Sequence, residues 1–267
     1  MTVGILGCGW LGMPLALQLQ QEGIEVRTSR ASAKGVQALR SQGLQAHQIV
    51  LDANHPQYDP QFFEGLSALI IAVPPGLRKN PARRFDAAVA HLMTYCTPYA
   101  IPHLLFCSSI SVYGVAGDPI DETTPCKPQT PSEEQLLACE QHILAAAGKA
   151  TIFRLGGLIG ADRHPIHSFA KRRIIPNPKA PINLVHQDEV LAYCRAWIQR
   201  PATNAVFNAV SPLHQPREAY YSQCAEQLGI PQLQFGETTS FKGSVLSSKI
   251  VAHYGDYFNV KKLLILS

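Results

Sequence analysis

The chain has 267 residues, of which 46% are hydrophobic and 16% charged, with a formal net charge of +4. That length and apolar content exclude a disordered or fibrous chain and fit one well-buried α/β domain with a smaller lobe. Lys and Arg are scattered apart from Lys171-Arg172-Arg173, so no nucleic-acid footprint is visible, and no apolar run approaches the ~20 residues that span a bilayer.

In chain order, Val3-Gly4-Ile5-Leu6 predicts a strand, Gly7-Cys8-Gly9-Trp10-Leu11-Gly12 a tight turn, and Met13 to Leu19 a helix with apolar residues at helical spacing. This is G-x-G-x-x-G in its strand-turn-helix context. Gly7 makes the turn, Gly9 lets backbone approach a pyrophosphate, and Gly12 packs helix against strand. With Trp10 and Leu11 opening the helix, its free N–H groups and positive dipole end offer an anion site, so a dinucleotide is expected here. The alternative is an ordinary β-α turn.

The second strand, Ile24 to Thr28, ends in Thr28-Ser29-Arg30, where an NAD site places a carboxylate for the ribose 2′-hydroxyl. No carboxylate follows. A hydroxyl at Ser29 and a guanidinium at Arg30 suit a 2′-phosphate, which favours NADP over NAD as cofactor. The other reading of Arg30 is a solvated surface charge.

Strand-like segments at 2–7, 24–28, 46–51, 67–73, 103–108 and 150–155 alternate with helical patterns at 11–22, 33–42, 82–97 and 132–147. Such alternation predicts an α/β fold with a Rossmann-type doubly wound parallel sheet, whose ligands sit at the carboxyl ends of the strands. Those ends carry Gly7, Thr28, Asp52, Val73-Pro74-Pro75, Ser108-Ser109 and Arg154-Leu155-Gly156-Gly157, and several are expected to line one crevice. Val73, Pro74 and Ser108 join the expected cofactor set.

Residues 1–155 are expected to form the dinucleotide domain. Residues 156–267, punctuated by prolines, are expected to form a small C-terminal substrate-side lobe, with part of the chain returning to the core. Its clearest elements are helices near 187–199, 216–228 and 247–254 and a strand near 205–210. Seven cysteines without a C-x-x-C pair read as buried thiols of a reducing compartment, and no metal-ligand spacing is present, so no metal is expected. The apolar start lacks a basic n-region and carries the glycine turn inside it, so a soluble, cytoplasmic protein is expected.

Four ordered motifs carry a family resemblance: the glycine turn, Ser108-Ser109-Ile110-Ser111-Val112-Tyr113-Gly114, Arg154-Leu155-Gly156-Gly157-Leu158-Ile159-Gly160, and Asn183-Leu184-Val185-His186-Gln187-Asp188-Glu189-Val190. Together they resemble the extended short-chain dehydrogenases/reductases of the epimerase/dehydratase group. Gly9 to Ala16 with Ile159 to Pro165 resembles more closely the YeeZ-like proteins, an atypical branch of that group. The resemblance implies a Rossmann fold, a nicotinamide cofactor and a small-molecule substrate, phosphorylated or nucleotide-linked, with no nucleic-acid or membrane partner. It also implies a monomer or a homodimer paired through the helices near 82–97 and 132–147.

The departure from the family concerns its Tyr-x-x-x-Lys pair, in which Lys lowers the Tyr pKa so that phenolate can act as a base. Aligned on Glu140, the Tyr position falls on Ser132 and the Lys position on Leu136. Ser132 reads instead as a helix N-cap in Ser132-Glu133-Glu134-Gln135. Ser109 resembles the family's catalytic serine. Tyr113 is a replacement acid or a packed tyrosine, with no Lys nearby to lower its pKa, and His186 is a group titrating near neutral pH or a structural hydrogen-bonder. Arg163, His164 and Lys171-Arg172-Arg173 form a cationic rim or a solvated surface. Two functions remain open, an NADP-dependent oxidoreductase or epimerase with altered catalytic residues and a non-catalytic NAD(P) sensor. A β-hydroxyacid dehydrogenase reading of the opening ranks last, because the chain after residue 156 is too short and proline-rich for the all-helical second domain of that group.

Overall fold

The computed structural model describes residues 1–267 except 78–79, 116, 118, 147–148, 161–162, 171–173, 202–203, 232, 240, 242 and 265–267. The triplet Lys171-Arg172-Arg173 therefore lies outside the described residues. Along the chain, β1 (Thr2–Leu6) leads to α1 (Gly12–Gln21), β2 (Glu25–Arg30) to α2 (Ala33–Arg40), and β3 (Gln45–Gln48) to a single turn, α3 (Pro60–Phe63). β4 (Ala68–Ile71), α4 (Phe85–Cys96), β5 (Leu104–Ser109), α5 (Pro131–Ala146) and β6 (Ala150–Leu155) follow. The remaining elements are β7 (Gly157–Ile159), α6 (Ile166–Phe169), β8 (Leu184–His186), α7 (Gln187–Gln199), β9 (Ala205–Ala209), α8 (Arg217–Gln227), α9 (Ser248–Tyr254) and α10 (Lys261–Leu264).

Seven strands make one sheet in the order β3-β2-β1-β4-β5-β6-β9, the doubly wound Rossmann-type order that runs outward from β1 in both directions. The pairs β1 with β2 and β4, β2 with β3, and β4 with β5 are parallel. Val3, Ile5 and Leu6 of β1 and all of β4 are buried, as central parallel strands covered on both faces must be.

Among the boundaries that differ from expectation, two bear on the candidate site. β2 continues to Arg30 because its ladder with β3 runs on through Thr28↔Ala46, Ser29↔His47 and Arg30↔Gln48, beyond the apolar stretch that marked the strand. α5 begins at Pro131, so Ser132 is not its N-cap. Thr130 Oγ1 accepts the Glu133 N–H at 3.3 Å while Glu133 Oε2 accepts the Thr130 N–H at 3.2 Å, a reciprocal capping box with proline in its favoured first position.

The chain divides into two compact units. The first comprises Met1–Ser109, Thr130–Phe153 and Cys194–Val206; the second comprises Ile110–Gln129, Arg154–Tyr193 and Phe207–Ser267. In the second, β7 and β8 pair parallel as Gly157↔Leu184, Leu158↔Val185 and Ile159↔His186, a short ladder that periodicity does not reveal. Its core gathers Ile159, Ile166, Ile182, Leu184 and Tyr220. Asn183 clamps a late segment from both ends of its amide: Nδ2 donates to the Gly243 carbonyl at 2.9 Å and Oδ1 accepts the Val245 N–H at 2.9 Å. The Ile120 N–H donates to the Ser244 carbonyl, and the Leu246 N–H donates to the Ile120 carbonyl, each at 2.8 Å.

All seven cysteines are free thiols, five buried and two, Cys107 and Cys126, half-buried. Among the described residues no helix is long and apolar enough to cross a membrane, and no group of three or more His, Cys, Asp or Glu could hold a metal ion.

Candidate functional site

In the first unit the glycine turn follows β1 and meets the residues at the carboxyl ends of β2 and β4. Gly7, at φ +91°, turns the chain out of β1 in a conformation that L side chains rarely adopt. A Cβ there would lie 2.6 Å from Val73 Cγ2 and 2.9 Å from the Val73 nitrogen, so the turn rests directly on the segment that follows β4. At Gly12 a Cβ would lie 2.8 Å from the Gly7 carbonyl oxygen and 3.0 Å from Ile5 Cγ2, which ties the close approach of α1 to β1 to a missing side chain. The Met13 N–H donates to the Gly9 carbonyl at 3.0 Å, while no side chain caps the end of α1 at Leu11. Pro14, in the first turn, has no N–H to satisfy. Trp10 is half-buried and Leu11 buried beside this end.

β2 supplies two residues to the turn in different ways. Ser29 is buried, and its Oγ accepts the Gly7 N–H at 3.2 Å while its carbonyl accepts the Cys8 N–H at 3.0 Å, so Ser29 braces the turn from beneath. Arg30 is exposed and lies across the turn: Nη1 donates to the Cys8 carbonyl at 3.2 Å and stands 3.2 Å from the place a Gly9 Cβ would take. Burial pushes the Cys8 thiol up to about 12, against the smaller pull of the Arg30 charge, which keeps this cysteine protonated near neutral pH. A cradle walled by Gly7, Gly9 and Gly12, with an uncapped helix end and a guanidinium beside it, fits the phosphates of a dinucleotide.

The segment after β4 has a strap that sequence reasoning missed. Arg83 donates from Nη1 to the Pro75 carbonyl and from Nη2 to the Leu51 carbonyl, both at 2.9 Å, tying the chain after β4 to the chain after β3. One arginine of the Arg83-Arg84 pair, in a stretch that also holds Arg78 and Lys79, carries no sequence signal that singles it out for that role. Pro74 is exposed and Val73 half-buried on this strapped segment. Asp52 is occupied locally, accepting the N–H groups of Asn54 and His55 at 2.9 and 3.0 Å, and these bonds hold its carboxyl below the usual range.

At the end of β5, Ser109 is half-buried. Ser108 points into the scaffold, donating to the buried Glu140 of α5 at 2.5 Å. In the first two turns of α5, Ser132 is exposed and Leu136 is buried, and the helix contains neither Tyr nor Lys. Gln135 Oε1 accepts the Phe85 N–H at 2.8 Å, capping α4 from outside.

The second unit turns two candidate catalytic residues toward structural partners. Tyr113 is fully buried; its hydroxyl donates to Asn208 Oδ1 at 2.9 Å, the Arg154 guanidinium lies 4.8 Å from its ring centroid, and burial raises its pKa. A phenol without exposed surface and with a raised pKa matches the packed tyrosine, one of its two sequence readings. Asn208 is held in turn, its N–H donating to Glu122 Oε1 at 2.7 Å and its amide to the Leu246 carbonyl at 3.1 Å. His186 caps α7: Nδ1 accepts the Asp188 N–H at 3.2 Å, and Glu189 Oε2 accepts the His186 N–H at 2.8 Å. Burial lowers its pKa despite the Asp188 carboxylate beside it. His164 is likewise buried, with Nε2 at 3.0 Å from the Tyr220 hydroxyl and Nδ1 accepting the Ile166 N–H at 3.2 Å, and it does not form a cationic rim. Arg163 is exposed.

The NAD dependent epimerase/dehydratase family matches residues 4–193. Protein YeeZ of Escherichia coli (strain K12) is 33% identical over 260 residues, covering 94% of this chain and 93% of its own. A functionally unknown conserved protein from Silicibacter pomeroyi superposes with a TM-score of 0.78 at 22% identity, over 99% of this chain and 97% of its own. The Thermus thermophilus UDP-glucose 4-epimerase solved with NAD gives 0.78 at 16% identity, over 100% and 97%. The Thermotoga maritima UDP-glucose 4-epimerase solved with UDP-glucose gives 0.80 at 14%, over 100% and 97%. At these identities the solved structures establish a shared fold.

Proposed function

This chain belongs to the NAD dependent epimerase/dehydratase family, and from that premise we propose that it is an NADP(H)-binding oxidoreductase or epimerase-like enzyme working without the usual Tyr-x-x-x-Lys pair. The observation that carries the proposal is Arg30 stretched over the glycine turn, with Nη1 on the Cys8 carbonyl and 3.2 Å from the place a Gly9 Cβ would take. Gly7, Gly9 and Gly12 leave the space for a pyrophosphate, the uncapped start of α1 offers it N–H groups, and Arg30 offers a cationic fork to a ribose 2′-phosphate. Val73 and Pro74 wall the same end of the sheet, while Ser29 and Ser108 hold its frame.

When bound, the nicotinamide supplies or accepts a hydride. Ser109 is the hydroxyl we assign to a substrate oxygen, as its motif implies. The substrate class is a small carbonyl or hydroxyl compound, phosphorylated or nucleotide-linked, in keeping with the UDP-glucose held by the Thermotoga maritima relative. Free thiols suit a cytoplasmic setting. A second reading, a non-catalytic NAD(P) sensor, is supported by the sequence of α5, which holds neither Tyr nor Lys and, aligned on Glu140, has Ser132 and Leu136 at the family's Tyr and Lys positions.

Parallel titration with NADPH and NADH, read by nicotinamide fluorescence and by melting temperature, tests the site, because a ligand of the native state raises its apparent stability. NADPH-selective binding is expected; binding of neither overturns the proposal. Oxidation of bound NADPH in a screen of carbonyl compounds separates the enzyme from the sensor.

A further inference from the structure

α2 carries a glycine at its third helical position, Gly35, where helix propensity favours alanine. Its φ is not positive, so the backbone does not require glycine there. Its N–H donates to Ser32 Oγ, the N-cap of α2, at 3.2 Å. Space is what the missing side chain provides: a Cβ on Gly35 would lie 3.0 Å from both Arg30 Cβ and Arg30 Nε and 3.1 Å from Ser32 Oγ. The Arg30 side chain thus passes across the bare first turn of α2 before Nη1 reaches the Cys8 carbonyl at 3.2 Å.

We propose that Gly35 determines cofactor specificity, by leaving the channel through which the Arg30 side chain reaches the glycine turn and so presents its guanidinium to the 2′-phosphate of NADP(H). The inference rests on the NADP(H) reading above and deepens it. Gly35 touches no part of the cofactor; it is a positioning residue that acts through Arg30. An added methyl group meets the arginine at its stem, where Cβ is fixed to the end of β2 and cannot swing aside. Either the end of α2 or the direction of the guanidinium must change. An arginine fork recognises phosphate oxygens by geometry as well as charge, so a redirected side chain loses the 2′-phosphate while leaving the pyrophosphate on the glycine turn.

The test compares NADPH and NADH dissociation constants for the wild-type chain, Gly35→Ala, Arg30→Ala and the double variant, with melting temperatures alongside. Alanine suits a helix, so Gly35→Ala is expected to fold. Its NADPH affinity should fall roughly tenfold or more, the scale of one lost charge-assisted hydrogen bond, with NADH affinity near wild type. In the Arg30→Ala background the second substitution should not change the selectivity further. A NADPH/NADH ratio that survives Gly35→Ala but collapses in Arg30→Ala overturns the role of Gly35 and leaves the cofactor reading standing. Equal binding of both cofactors by the wild-type chain overturns the NADP preference and this inference together, and binding of neither removes the site itself.

Discussion

Ser108 Oγ donates to Glu140 Oε1 at 2.5 Å, joining the end of β5 to the buried face of α5. Both side chains are almost free of solvent, so the hydroxyl serves the scaffold. Ser108→Ala leaves a buried carboxylate one donor short, at a cost of about 1–3 kcal/mol. Denaturant titration should show that loss with NADPH affinity close to wild type; a drop in affinity without a drop in stability would return Ser108 to the ligand.

Two glycines of one turn should fail differently. Gly9→Val places side-chain atoms beside Arg30 Nη1, 3.2 Å from the new Cβ, on the open side of the turn, so dinucleotide binding should vanish while the fold persists. Gly12→Ala pushes a methyl group to 2.8 Å from a backbone oxygen that cannot yield, and should destabilise the fold by about 1–3 kcal/mol. Melting curves and NADPH titrations of the two variants together check the distinction.

The Arg83 strap makes a prediction about motion. Arg83→Gln removes a fork that meets the Pro75 and Leu51 carbonyls at 2.9 Å each. Amide hydrogen exchange should quicken in the segments after β3 and β4 and stay unchanged in β1 and α1. Uniform acceleration across the chain would mean that the strap supports global stability instead.

His164 sets an acid limb on stability. Burial, aided by the charge of His167, pushes it down to about 4 from its ordinary 6.5. Between those values the unfolded chain binds the proton that the folded chain refuses, so stability is full above the unfolded pKa and falls as pH drops toward 4, by about 3 kcal/mol in all. His164→Gln, lower in stability at neutral pH, should lose that slope in denaturation curves taken from pH 7 to pH 4.

The repeating core was legible because central parallel strands must be apolar throughout; Val3 to Leu6 and Leu69 to Ile71 announce themselves. The glycine turn was legible for a related reason, since the spaces at Gly7, Gly9 and Gly12 are each defined by neighbours close in the chain or on the adjoining strand. Groups that act through distant partners were not. Nothing near Ser108 in the sequence points to Glu140, and nothing near Tyr113 points to Asn208, 95 residues away. For His186 the sequence leaves two readings, a titrating group and a structural hydrogen-bonder, because imidazole suits both; the bond from the Asp188 N–H to its Nδ1 matches the second, at a cap position where Ser, Thr, Asp and Asn are the usual residues. The misplaced cap at Ser132 has the same origin, two overlapping boxes of which proline at 131 selects the earlier.

The clamp by Asn183 also orders events in time. Every residue of the first unit lies at or before Val206, whereas the second is tied through Gly243 and Val245, and through the Tyr220 hydroxyl that donates to the Leu263 carbonyl at 2.8 Å. During synthesis the whole glycine turn and the strands around it leave the ribosome before Gly243, Val245 and Leu263 are made, so the second unit is the last to receive its partners.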